Sequence, residues 1–146
     1  MHRRIMIVLC IILFVCTIGC NKLFYRGRGD WEINLVNGYR IDHFNTAEIK
    51  LCKKQNKYLE VVIKNYYVTA YSMKEEYVFL EGIQTAGEYI TDQEKQDMHL
   101  SFYAINTKQD AVYGPYSGIQ QMAQELSFDM NTEWTTCKDS IKSYDG

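Results

Sequence analysis

Trp31-Glu32-Ile33-Asn34-Leu35-Val36-Asn37-Gly38-Tyr39-Arg40-Ile41-Asp42-His43-Phe44 is the stretch that decides the fold. Trp31, Ile33 and Leu35 alternate with Glu32 and Asn34, the period-two pattern of a half-buried strand. Asn37 and Gly38 both tolerate positive φ, so the pair predicts a tight two-residue turn. The apolar pattern resumes at Tyr39, and the two runs read as a β-hairpin.

The same grammar continues downstream. Glu48 to Lys53 alternates charged residues with Ile49 and Leu51, Gln55-Asn56-Lys57 turns the chain, and Tyr58 to Lys64 is rich in β-branched residues. Tyr66 to Met73 and Tyr77 to Glu81 read as strands joined by the charged turn Lys74-Glu75-Glu76. Gly82 to Asp97 loses periodicity and reads as a long exposed loop with a helical turn at Asp92 to Gln96. Long loops of this kind often carry function. Leu100 to Ile105 and Ala111 to Tyr113 form another pair. Ser117 and Gln120 have capping-box spacing, and Ile119, Met122, Ala123 and Leu126 form one apolar helical stripe. The expected fold is mainly β (α+β), an antiparallel meander sheet with one short C-terminal helix. The crossover helices that a parallel sheet needs are missing.

Upstream, the chain is a different material. Met1 to Arg4 is short and cationic, Ile5 to Val15 is unbroken apolar sequence, and Gly19 directly precedes Cys20. This is the layout of an export signal. The apolar run through Gly19 is about fifteen residues, short of the roughly 20 that span a bilayer. The segment around Cys20 resembles a lipobox, with Thr17 where that motif usually has Leu, Val or Ile. The resemblance implies cleavage before Cys20 and lipidation of its thiol. An uncleaved anchor and an ordinary signal peptide are the alternatives. The resulting organisation is a signal peptide over 1–19, a tether over 20–29, a β-rich domain over 30–128 and a polar tail over 129–146, in which Trp134 is a candidate for docking.

Three further segments resemble a family of small, uncharacterised bacterial lipoproteins with a domain of unknown function. They are Asn37-Gly38-Tyr39, Lys74-Glu75-Glu76-Tyr77-Val78, and Tyr103 to Lys108 running into Val112-Tyr113-Gly114-Pro115. Asn106 stands where that family more often has Asp, and both residues make such turns. The resemblance implies a compact β domain on a lipid anchor and no particular activity.

Charge and motifs narrow the function. Without Arg3 and Arg4, 14 basic side chains face 18 acidic ones, a net charge of about −4. That is unlike the basic footprint of a nucleic-acid binder. The histidines of the folded part, His43 and His99, are far apart in sequence and read as surface residues. A His43–Cys52 dyad has no support from spacing. Glu75, Glu76, Asp92, Glu94 and Asp97 read as solvated turn and loop residues, without the calcium-loop pattern. Gly27-Arg28-Gly29 is too short to cradle phosphate, and Arg28-Gly29-Asp30 is a tripeptide that chance supplies easily. No catalytic, metal or cofactor pattern emerges. Cys52 and Cys137 are a candidate disulfide, given export, and the alternative is two unpaired cysteines, Cys52 in a strand and Cys137 in a loose tail. Tyr66, Tyr67, Tyr71 and Tyr77 are a candidate exposed aromatic patch, because adjacent strand residues point to opposite faces and tyrosine suits recognition surfaces; the alternative is tyrosine as an amphipathic β-former at the sheet rim.

These readings lead to an expected non-enzymatic binding domain, held outside the cytoplasm on a membrane by N-terminal lipid. Its partner is an envelope protein or polymer. A protective or inhibitory lipoprotein and an undescribed envelope hydrolase are the alternatives.

Overall fold

The computed structural model describes residues 30–127 and 133–137. The expected signal peptide, Cys20, all of the expected tether and most of the expected polar tail lie outside the described residues. Trp31 opens the folded unit.

Among the described residues, this unit has nine strands and two helices. The first sheet has the order β1-β2-β3-β4, with β1 Trp31–Asn34, β2 Tyr39–Asn45, β3 Glu48–Gln55 and β4 Tyr58–Val61. The second has the order β8-β7-β6-β5-β9, with β5 Tyr66–Lys74, β6 Tyr77–Gln84, β7 Leu100–Asn106, β8 Ala111–Tyr116 and β9 Thr135–Thr136. Helix α1 spans Asp92–Asp97 and α2 spans Ile119–Leu126. Every pairing is antiparallel. The fold is therefore mainly β with short helices, as the strand-turn pattern predicts.

The turns follow from residue chemistry. Asn37 (φ 54°) and Gly38 (φ 80°) take the positive φ values of a two-residue hairpin turn. Asn56, Glu75 and Asp110 occupy the left-handed region at three other hairpin tips. Asn65 does the same between β4 and β5. There the meander divides into two sheets, where periodicity alone suggested one.

The core has two parts. Ile41, Ile49 and Leu51 of the first sheet join Val68, Leu80 and Ile105 of the second in one buried cluster. On the other face of the second sheet, Phe79, Phe102, Ala104 and Tyr116 pack with Met122 of α2. Ile119 and Leu126 flank that contact, as the helical stripe predicts. The start of α2 differs from expectation. Its N-cap is Gly118, without a side-chain cap. Ser117 instead donates from its backbone N and its Oγ to Gln121 Oε1, at 3.1 and 3.0 Å. The true capping box opens α1, where Thr91 and Glu94 cap one another.

Candidate functional site

The tyrosine patch does not form. Tyr66 and Tyr67 are both buried, each 2% exposed. Both belong to the inter-sheet core, where Tyr67 directs its hydroxyl to the Thr46 carbonyl at 3.5 Å, so these neighbours on β5 are buried together. Tyr66 lies over Gly82, meets Tyr103 edge-on at 4.8 Å and donates its hydroxyl to the Ser101 carbonyl. Burial pushes its phenol well above the ordinary range. Tyr71 packs partly into the inter-sheet core, and Tyr77 stacks on Phe79.

Nor does a disulfide join Cys52 and Cys137, which are both free and buried thiols. Cys52 sits in the first sheet across from Arg40, with the Asp42 carboxylate as a hydrogen-bond partner. Cys137 follows β9 in the second sheet and sits in the apolar inter-sheet core. Desolvation pushes each thiol up to about 12, with the Asp42 charge adding to the shift at Cys52. The thiolate needed for nucleophilic attack is therefore scarce at neutral pH.

His43 is another correction, because it is 6% exposed and not a surface residue. It pairs with Ile49 across the ladder, and its ring stacks on Trp31 at 5.1 Å. Cys52 is three residues beyond Ile49 and therefore faces the other side of the sheet, which separates the two members of the dyad. His99 is exposed ahead of β7.

The loop and turn carboxylates have structural work. Glu94 accepts from the Ala86 and Thr91 backbone N–H groups at 2.6 and 2.8 Å and from the Thr91 hydroxyl, which together hold its pKa low. Asp97 accepts from Gln93, and Glu76 lies 4.0 Å from Lys108. No group of three potential ligands able to hold a metal occurs among the described residues.

The first sheet carries an ionic row away from the core. Arg40 bridges Asp42 at 2.8 Å and Glu32 at 3.1 Å, and Lys50 pairs with Glu48 at 2.8 Å. Asp42 nevertheless titrates above its ordinary value, since desolvation outweighs the opposing pull of Arg40.

One exposed feature is built for presentation, and it lies in the long aperiodic segment. Thr85 donates its N–H to the Asn65 carbonyl at 2.8 Å and its hydroxyl to the Gly87 carbonyl at 2.6 Å. Ile90 is buried as a plug and its N–H bonds the Ala47 carbonyl at 3.2 Å. The capping box then fixes the exit. Between these pins, Tyr89 is 52% exposed and the Glu88 side chain 69% exposed. Lys50 Nζ lies 5.8 Å from the centre of the Tyr89 ring. Phe44, 42% exposed, lies near the β2–β3 turn that Ile90 holds. The sequence marks this segment by its lost periodicity. The apolar Ile90 within a polar run and the Thr91-x-x-Glu94 spacing were the further signals available.

No known protein family, curated protein or solved structure matches the chain.

Proposed function

We propose that this chain is a lipid-anchored, non-enzymatic interaction domain of the bacterial cell envelope, tethered through Cys20. The observation that carries the reading is the pinned loop Thr85–Thr91, which holds its backbone while leaving Tyr89 and Glu88 in solvent. An aromatic ring with a polar tip suits recognition. A loop ordered before contact avoids part of the ordering cost of binding, roughly 0.5–1.5 kcal/mol per immobilised side chain. High-pKa thiols and carboxylates committed to caps and turns fit binding better than catalysis. The partner on this reading is an envelope protein or polymer.

Two measurements test it. Metabolic labelling with a tagged fatty acid should mark the wild type and fail on Cys20→Ala; a labelled variant would remove the anchor. Photo-crosslinking from position 89 in native membranes should give one discrete adduct that Ile90→Asp abolishes by unpinning the loop. An adduct indifferent to Ile90→Asp, or none at all, would count against the site.

A further inference from the structure

The edge of β5 is covered by a very short strand. β5 is nine residues long, and β9 pairs with only Ala70 and Tyr71. Among the described residues, these contacts hold the segment 133–137 that contains β9. Cys137 donates its N–H to the Thr69 carbonyl at 2.9 Å, Ser72 donates its hydroxyl to the Glu133 carbonyl at 2.8 Å, and half-buried Trp134 meets Phe102 edge-on at 6.1 Å. The register of β5 against β6 shifts between Val68 and Ala70. Thr69 turns its hydroxyl to Glu81 there. Such a bulge limits regular pairing along a strand.

We propose that residues 133–137 are a displaceable strap, and that the β5 edge beneath takes up an extended peptide segment of a partner protein by strand addition. Edge strands offer a row of main-chain donors and acceptors that an extended peptide can complete. The strap's own seat describes that peptide. It carries an aromatic residue for the place beside Phe102, two residues that pair with β5, and a small apolar residue for the buried place of Cys137. Two ladder pairs hold β9, against eight between β5 and β6, and a short pairing opens at lower free energy than the core ladders. Peptide and strap compete for one edge, so binding the peptide draws the strap open. The proposal does not depend on Cys20 or on the role of the Thr85–Thr91 loop.

Cys137 and Cys52 make the test internal. Both thiols are fully buried and both are pushed up to about 12, so their relative reactivity reports relative opening. The unmutated chain would be pulsed with an isotope-coded maleimide and mapped by peptide mass spectrometry. Cys137 should label at least about tenfold faster than Cys52, because local opening precedes global unfolding. Equal rates, both following global unfolding, would overturn the strap. A synthetic peptide of residues 131–138 carrying Cys137→Ser should then raise Cys137 labelling several-fold at saturation and leave Cys52 unchanged. A strap that opens while the peptide changes nothing would overturn strand addition. Trp134→Ala should accelerate Cys137 labelling without the peptide.

Discussion

The two sheets share one core but differ in what lies on their other sides. The first sheet backs its apolar face with a row of paired charges: Glu32, Arg40, Asp42, Glu48 and Lys50. The second backs the same core with another, where Phe79, Phe102 and Ala104 meet α2. Alternation along a strand therefore means core and ionic face in β2 and β3, and core and core in β6 and β7. The difference teaches where each sheet tolerates change. A charged side chain can relax into solvent, whereas a residue packed on both sides of a sheet has nowhere to move.

The largest predicted effect is at Gly82, in the doubly covered sheet. A Cβ there would stand 2.2 Å from the Tyr67 carbonyl oxygen and 2.8 Å from Tyr66 Cζ. The first of these is backbone, so no rotamer change relieves it. Gly82→Val should leave no cooperative unfolding transition in urea followed by circular dichroism. A variant with a wild-type midpoint would show that the second sheet is more plastic than its packing implies.

Next comes Met122, the fully buried contact of α2. Met122→Ala should cost about 3 kcal/mol, within the range for deleting a buried side chain. The loss should appear as a lower urea midpoint with an unchanged slope. A loss below about 1 kcal/mol would mean that α2 contributes little to the second sheet's outer core.

How legible this contrast was depends on how local its signals are. Asn37-Gly38 announced its turn because the required φ values belong to those two residue types. The apolar stripe of α2 was legible for the same reason, since its period is written in consecutive residues. Cover on the far face of a strand is a tertiary fact. Tyr66 and Tyr67 read as one inward and one outward ring, because nothing in β5 states that both will join the core between the sheets. His43 failed in the opposite sense. Polarity suggested the surface, but its place in the alternation with Ile41 put it inside, against Trp31. Loop anchoring was half legible: the helical turn at Asp92 to Gln96 was expected, but the Thr91 and Glu94 spacing that caps it was passed over within a segment read as a long exposed loop. The Cys52–Cys137 question was a distance between sheets, which no spacing in one chain supplies.

The ionic row gives a smaller effect with a pH signature. Arg40→Met leaves the Asp42 carboxylate, largely buried, without its cation. Arg40 is itself a quarter exposed, so the cost should be about 1–2 kcal/mol at neutral pH, below that of breaking a fully buried pair. Asp42 has a raised folded pKa, so the folded chain holds its proton more tightly than the unfolded chain. Its contribution is most favourable in acid and is lost as pH rises from the ordinary carboxylate range through the raised value. The penalty of Arg40→Met should therefore shrink as pH falls and Asp42 becomes neutral. Urea midpoints at pH about 7 and about 4, the lower value near ordinary carboxylate titration and on the acid side of the raised Asp42, would read this difference. A penalty constant across that range would show that Arg40 acts through packing of its stem and not through charge.

The smallest effect lies where the sheets are tied together at their hairpin tips. Asn37 donates to Thr107 Oγ1 at 2.8 Å, Tyr39 donates its hydroxyl to Asp110 Oδ1 at 2.9 Å, and Lys53 pairs with the same Asp110 oxygen. Lys53 and then Tyr39 hold the Asp110 carboxyl below its usual range, while burial and the Asp110 bond push the Tyr39 phenol up to about 12. Asp110 thus has the opposite sign to Asp42. Its contribution is present above the ordinary carboxylate range and lost as pH falls through its lowered folded value. Asp110 is exposed, so solvent screens the pair and the effect should be slight. Asp110→Asn keeps an acceptor for Tyr39 and removes the charge facing Lys53. Its thermal midpoint should lie just below wild type at neutral pH and meet it in strong acid, in higher salt, or both. Combined with Arg40→Met, it should add independently, since Arg40 bridges Asp42 and Glu32 and shares no partner with Asp110. A non-additive pair would mean that the ionic row and the inter-sheet tie are one network, and that the charged side of the first sheet helps to hold the second.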